Sequence, residues 1–450
     1  MADDNRKSTE RQRSAGVARS GSPANHGPTN SIKLHLGSDP DKQIIVIKVG
    51  TSSLVRAEQQ TLNLGIIARL CETVKTLRSQ GHHVIIVSSG AVGVGCQRLG
   101  LATKPGELAK KQALAAVGQL HLMRYYEDFM AALNLRCAQV LLTLDNLANR
   151  AQYLNARNTF TELLAYGVVP IVNENDTVAV QELRFGDNDT LSAQVATLVQ
   201  ADWLFLMTDV DCLYTANPKD DPAAQPIYEV HDMGALRADT STRGTQWGTG
   251  GMATKLTAGR IATAAGCTMV ICSSTNPEVV ARVLGGEQRL GTKFFPVAHA
   301  LRGRYRWILS VPVRGQLWLD AGAVKAVSSK VKRASLFAAG ITKVEGRFNP
   351  QDAVSLCDEA GVEFARGLVN FSADEVRELR RMAKEKKQAV DKALGFNVQE
   401  EVVHRSFLSL LVGQAGDADE TEDDPEHAPV AAPGAEAGAA ADALARAALS

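Results

Sequence analysis

The stretch Ile44-Ile45-Val46-Ile47-Lys48-Val49-Gly50-Thr51-Ser52 decides the fold. Its first six residues are apolar at both parities apart from Lys48, and Gly50 closes the run. Such a run predicts a strand buried on both faces, which is the habit of a parallel sheet covered by helices. Residues 64–80 then show helical spacing through Ile67, Leu70, Val74 and Leu77, and Gly81 ends the segment. His83-Val84-Ile85-Ile86-Val87 reads as the next strand, followed by Ser88-Ser89-Gly90. Further strand-like runs at 136–142, 168–172, 203–207 and 268–272 alternate with helical stretches. The class is therefore α/β, a mostly parallel sheet sandwiched by helices.

After about Pro296 the character changes. Short runs at 306–311, 316–320, 341–344, 353–357 and 364–369, separated by Gly or Pro, predict a small β-rich domain of barrel or sandwich form. A helix over 373–394 follows, opened by Ser372 with Glu375 three residues on, a capping-box pattern. The expected organisation is a disordered arm at 1–41, the α/β domain at 42–298, the β-rich domain at 303–390, and an acidic, Ala-rich disordered tail at 413–450.

Composition excludes some function classes. Lys and Arg number 49 and Asp and Glu 49, so nothing favours a chain-wide polyanion-binding surface. The seven cysteines are scattered, with no C-x-x-C pair, which argues against disulfides or structural zinc and for a reducing, cytoplasmic setting. No apolar stretch reaches membrane-spanning length. The N-terminal arm holds Asp3, Asp4 and Glu10 and lacks an apolar core, pointing away from a secretory signal and disfavouring, without closing, an organellar one.

Three polar turns sit directly after predicted strands, where ligands of open α/β sheets collect. In Lys48-Val49-Gly50-Thr51-Ser52, glycine lets backbone N–H groups approach phosphate oxygens while the lysine neutralises them. Ser88-Ser89-Gly90-Ala91-Val92-Gly93 is the second turn and Thr208-Asp209-Val210-Asp211 the third. Local backbone chemistry alone also places Gly, Ser, Thr and Asp in such turns. Three in one sheet weaken that plainer reading.

Two Asx-rich segments, Asn173-Glu174-Asn175-Asp176 and Gly186-Asp187-Asn188-Asp189-Thr190, suit recognition of an amino-acid ammonium group or the organisation of lysines and Mg²⁺. Solvated turns are the alternative. Gly248-Thr249-Gly250-Gly251-Met252-Ala253-Thr254-Lys255 leads into a helix but lacks the G-K-[ST] of a Walker A loop. A nucleotide-phosphate loop with its own lysine fits it better.

Taken together, I-K-V-G-T-S-S-L at 47–54, S-S-G-A-V at 88–92, K-Q-A-L-A-A-V-G-Q at 111–119, Y-L-N-A-R-N-T at 153–159, V-N-E-N-D-T-V at 172–178, F-G-D-N-D-T-L-S-A at 185–193, T-D-V-D-C-L-Y-T at 208–215 and G-T-G-G-M-A-T-K at 248–255 resemble the glutamate 5-kinase family of the amino acid kinase superfamily. S-L-F-A-A-G-I-T-K-V-E-G-R-F at 335–348 and V-E-F-A-R-G-L-V-N-F-S at 362–372 resemble a PUA domain. The resemblance implies an amino acid kinase fold with a PUA-like domain behind it. It implies ATP-dependent phosphorylation of the γ-carboxylate of L-glutamate, first step of proline biosynthesis, with Mg²⁺ accompanying ATP.

By the same resemblance Lys48 and Lys255 are catalytic, with Asp189 holding them. Ser89, Asp176 and Asn188 contact the substrate. Lys48, Thr208, Asp209, Thr249, Gly250, Gly251, Met252, Ala253, Thr254 and Lys255 contact ATP, and no residue is assigned as a metal ligand. Proline as feedback inhibitor and a homo-oligomer are implied as well. Lys325, Lys330, Lys332, Arg333, Lys343 and Arg347 are either an RNA-facing patch or an ordinary solvated face.

Two departures stand out. Cys212 occupies a place where many relatives carry Gly, which would strain the turn if that place needs positive φ. Gln351 replaces a glycine often seen after the Arg347-Phe348 turn. The rivals to the family reading are a kinase for aspartate, N-acetylglutamate or carbamate, and an RNA-binding protein on an inactivated kinase fold.

Overall fold

The computed structural model describes residues 36, 39, 41–56, 61–179, 188–217, 221–233, 236, 251–297, 303–329, 334–384 and 401–411. The two terminal segments expected to be disordered thus lie almost wholly outside the described residues, as do Lys330, Lys332 and Arg333 of the basic set.

The larger sheet is built from β1 (Ile44–Val49), β2 (His83–Ser88), β3 (Cys137–Leu142), β4 (Val169–Glu174), β5 (Trp203–Thr208), β6 (Glu229–Val230), β7 (Thr268–Ser273) and β8 (Thr292–Phe294). Their spatial order is β6-β8-β7-β5-β1-β2-β4-β3, with β8 antiparallel to β7 and the run from β7 to β3 parallel. The helices that position the site are α1 (Leu64–Ser79), α2 (Ala91–Arg98), α3 (Leu108–Ala132), α4 (Arg150–Ala165), α5 (Asn188–Leu198) and α6 (Met252–Ala264). None of the described helices is long and apolar enough to cross a membrane.

β1 shows why the chain folds this way. Successive side chains of a strand point to opposite faces. Ile45, Ile47 and Val49 enter one core with Ile67 and Leu70 of α1 and Leu122 and Tyr126 of α3. Ile44 and Val46 enter the other core, with Leu191 and Val195 of α5 and Leu256 and Ile261 of α6. Lys48 continues this second parity, so it emerges at the strand's carboxyl end toward α5 and α6.

The chain leaves β1 toward β2 and β4 first and returns to its other side at β5. The β1–β5 seam is therefore a topological switch point, where the flanking loops part and leave a crevice. Register aligns the rim of that crevice: Val49 stands opposite Ser88 and Met207, Thr208 opposite Ser273, and Leu142 opposite Glu174.

The second sheet comprises β9 (Val313–Leu319), β10 (Ile341–Gly346), β11 (Ala353–Cys357), β12 (Glu363–Leu368) and β13 (Leu408–Leu410), in the order β10-β9-β11-β12-β13. All its neighbours are antiparallel except β9 and β11. β13 lies beyond residue 390 and completes the sheet. α8 (Ala373–Lys384) opens with the expected capping box: Ser372 N donates to Glu375 Oε2 at 2.7 Å, and Glu375 N to Ser372 Oγ at 3.4 Å. The rest of the helix expected to 394 lies outside the described residues.

One expected strand is a helix. Residues 306–311 belong largely to α7 (Gly303–Ser310). Trp307, Ile308 and Leu309 are all buried because α7 is wedged between the two sheets, so no amphipathic stripe betrays it. Trp307 Nε1 donates to the Leu147 carbonyl at 3.1 Å and Arg366 Nη1 to the Leu309 carbonyl at 2.7 Å. Gln194 of α5 donates to the Ser310 carbonyl.

The two departures resolve differently. Cys212 is outside the left-handed region, so no strain attends it. Gln351 has φ 71°, a conformation costing about 1–2 kcal/mol in a residue with a Cβ. Its N–H donates to the Val369 carbonyl at 2.6 Å, which ties the turn down.

His82 and His83 take part in local hydrogen bonding at the start of β2. Gln43 N donates to His82 Nδ1 at 3.2 Å, and Arg78 Nη1 donates to the His82 carbonyl at 2.9 Å and lies 3.3 Å from His83 Nδ1. Burial first, then the Arg78, Lys42 and His82 charges, push the His83 imidazole down to about 4. In an unfolded chain it titrates near ~6.5, so between these values the unfolded state takes up a proton that the folded state refuses. Stability from this group is present above pH ~6.5 and falls as pH drops toward 4. Urea midpoints measured across that window should decline with acid, and His83→Gln should flatten the decline.

Candidate active site

Three chain segments converge at the carboxyl ends of β1, β2, β4 and β5. The first residues of α5 are the hub. Asp189 stands in its opening turn, fully buried, where an acid also meets the positive end of the helix dipole. Its Oδ1 lies 2.5 Å from Lys48 Nζ and its Oδ2 3.1 Å from Lys255 Nζ. Thr254 Oγ1 lies 2.9 Å from the same Oδ2 and 2.8 Å from the Gly251 carbonyl, joining the glycine segment to the carboxylate. Burial alone would raise the Asp189 carboxyl, but Lys48 and then Lys255 hold it well below the usual carboxylate range.

Both lysines are themselves buried, at 6% and 7% exposure. Two ammonium groups share one carboxylate here, which leaves a positive surplus among buried side chains. A polyanion is what such a surplus attracts. Gly50 helps keep the approach open: a Cβ added there would stand 3.5 Å from Lys48 Nζ.

Asn188 precedes Asp189 and faces the other way along the rim. Its Nδ2 donates to Ser89 Oγ at 2.7 Å and lies 3.5 Å from both the Ser88 carbonyl and Asn173 Oδ1. The Ser89 turn is held from behind. Gly90 takes φ 106°, which carries the chain from β2 directly into α2. α2 then meets α3 at backbone contact: a Cβ on Gly118 would come within 1.8 Å of the Ala91 carbonyl, and one on Gly95 within 2.0 Å of the Leu114 carbonyl. Ser88 Oγ and Tyr126 of α3 share a buried hydrogen bond of 3.0 Å.

Asp176 occupies the turn after β4, half-buried. Lys104 feels its charge, although burial first and Lys111 second hold the Lys104 ammonium below its ordinary value. Thr208 ends β5, buried, and donates to Asp209 Oδ1 at 2.9 Å. Gly251, Met252, Ala253, Thr254 and Lys255 form the entry to α6. Thr249 and Gly250 lie outside the described residues.

The structure thus brings Lys48, Asp189, Thr254 and Lys255 into one cluster and Ser89 and Asn188 into a second, contiguous through α5. Thr208 and Asp209 form a separate pair on the β5 side. Gln119, Asn173 and Lys104 were given no individual role from sequence. Gln119 and Asn173 do fall inside quoted motifs, but nothing local marks them as partners.

The comparisons with known proteins fit this geometry. The profile of the amino acid kinase family matches residues 43–273, and that of the PUA domain residues 315–390. A glutamate 5-kinase of Cyanothece sp. is 53% identical over 370 residues, covering 82% of this chain and 99% of the relative. One from Acaryochloris marina is 54% identical over 371 residues, covering 81% and 98%. One from Synechococcus sp. is 52% identical over 374 residues, covering 82% and 99%.

The chain belongs to the glutamate 5-kinase family. Membership makes it a kinase, a phosphotransferase drawing on ATP together with a divalent metal ion. The family frame also gives the larger sheet and its helices their class, an amino acid kinase fold, and the PUA match takes in β10, β11, β12 and most of β9 of the second sheet.

Asp189→Asn leaves two buried ammonium groups without their counter-charge. Urea unfolding should show a loss of about 3–5 kcal/mol, the usual cost of stranding a buried charge. An unchanged stability would mean that the carboxylate does not hold the lysines.

Proposed function

We propose that the chain transfers the γ-phosphoryl group of ATP to the γ-carboxylate of L-glutamate, giving L-glutamyl 5-phosphate and ADP, the first step of proline biosynthesis. The observation that carries this reading is the Asp189 carboxylate shared between Lys48 and Lys255.

A carboxylate and a triphosphate are both anions, so their approach is repulsive until charge is neutralised. Lys48 and Lys255 supply that neutralisation from two elements and stabilise charge building on the equatorial phosphoryl oxygens. The γ-carboxyl titrates near ~4.3 and is ionised at neutral pH, so it attacks phosphorus without a general base. One carboxylate oxygen forms the new P–O bond as the bond to the ADP oxygen breaks, and no proton moves. Asp189, held ionised, is a positioning residue: it fixes the lysines at the distances that a phosphoryl group needs.

Thr208, Asp209 and the segment Thr249, Gly250, Gly251, Met252, Ala253, Thr254 and Lys255 take the nucleotide. Ser89, Asp176 and Asn188 take glutamate. Mg²⁺ fits as a companion of the triphosphate. Among the described residues no three His, Cys, Asp or Glu side chains converge, and Asp189 has both oxygens committed to ammonium groups. Mg²⁺ keeps several waters and binds phosphate oxygens readily, so the nucleotide and water would furnish its ligands. Proline as an inhibitor and a homo-oligomeric assembly enter with the same family reading.

The test is acyl phosphate trapping with hydroxylamine. The full chain with ATP and Mg²⁺ should form γ-glutamyl hydroxamate from L-glutamate and little product from L-aspartate. Lys255→Met should lower turnover by at least about a hundredfold, as loss of a group that stabilises transition-state charge does. Preference for aspartate, or a Lys255→Met variant of near-normal rate, would overturn the assignment.

A further inference from the structure

Backbone groups fix the sense of the amide relay beside the site. Glu174 N, which can only donate, meets Asn173 Oδ1 at 2.9 Å. Asn173 Nδ2 must then face away, and it donates to Gln119 Oε1 at 2.7 Å. The atom of Gln119 left over is Nε2, a donor. Likewise the Ser88 carbonyl, which can only accept, lies beside Asn188 Nδ2, leaving Asn188 Oδ1 as an acceptor. Gln119 Nε2 and Asn188 Oδ1 are both shielded from solvent and have no hydrogen-bond partner among the described residues.

Buried polar atoms are nearly always satisfied, so one leftover donor and one leftover acceptor at the two ends of a single relay describe a ligand. An acceptor suits an ammonium group and a donor suits a carboxylate. The lysine cluster at Asp189 claims the reacting end of the substrate, so this relay, on the α3 and β4 side, is left for the other end. We propose that Gln119 is a specificity-determining residue whose Nε2 binds the α-carboxylate of the amino-acid substrate. The inference rests on the glutamate reading above and adds a contact on α3 to it.

Two variants of the full chain separate this role from a merely structural one. Gln119→Leu removes the donor. It should raise the KM for L-glutamate by roughly ten- to a hundredfold, the worth of a hydrogen bond to a charged group, with the KM for ATP unchanged. Gln119→Glu keeps an acceptor for Asn173 Nδ2 but sets a negative charge where the donor stood, so it should be no better than the leucine variant. Inhibition by 4-aminobutyrate, which lacks the α-carboxylate, should be alike in wild type and Gln119→Leu.

Restoration of the wild-type KM by Gln119→Glu would show that Gln119 only holds Asn173, and would overturn the proposal. So would an unchanged KM in Gln119→Leu, or an equal loss of 4-aminobutyrate binding. Calorimetric titration of L-glutamate into the same proteins makes the comparison without turnover. A chain that binds glutamate through Gln119 but forms no hydroxamate would thus fail the activity and keep the contact.

Discussion

A carboxylate buried between two ammonium groups is the constraint around which the site is arranged. Each charge would be costly in isolation, and the cost is met only while all three stay within contact distance. Lys48 comes from β1, Asp189 from α5 and Lys255 from α6, so the trio can persist only if sheet and helices hold their relative places. The apolar cores on the two faces of β1 provide that rigidity. The cluster itself carries two ammonium groups against one carboxylate.

The same arrangement keeps the two side-chain clusters apart. Asn188 and Asp189 are neighbours in one turn of helix, yet one looks toward Ser89 and Asn173 and the other toward the lysines. A single element therefore sets the distance between the Ser89–Asn188 pair and the lysine cluster. α5 is anchored along its middle as well, through Gln194 to the Ser310 carbonyl of α7. The second sheet reaches α7 through Arg366, so α7 links it to the helix that carries the site.

Much of this was legible in the sequence. Runs such as Ile44–Val49 declare strands because both parities are apolar, and a lysine inside such a run has to be explained by function. The glycine segment ending at Lys255 declared itself in the same way. α7 was misread because Trp307, Ile308 and Leu309 are buried from both sides, which erases the periodicity separating helix from strand. Gln119 was beyond reach for another reason: it meets Asn173 across 54 residues of chain, and hydrogen-bond sense depends on backbone groups that no spacing rule contains. Gln351 stands where a glycine is often seen in the family, and its positive φ supplies a backbone reason for that glycine which the sequence alone does not contain.

The crossing of α2 and α3 has a consequence for how this protein can vary. Any substitution that replaces a glycine by another amino acid adds at least a Cβ. At Gly95 and Gly118 that atom would overlap a backbone carbonyl of the opposing helix. Neither position can take another residue unless the helices part, and parting them moves the turn that presents Ser89. The helix spacing is thus closed to gradual mutation, and change around Ser89 has to arise in side chains rather than in the spacing of the helices behind it.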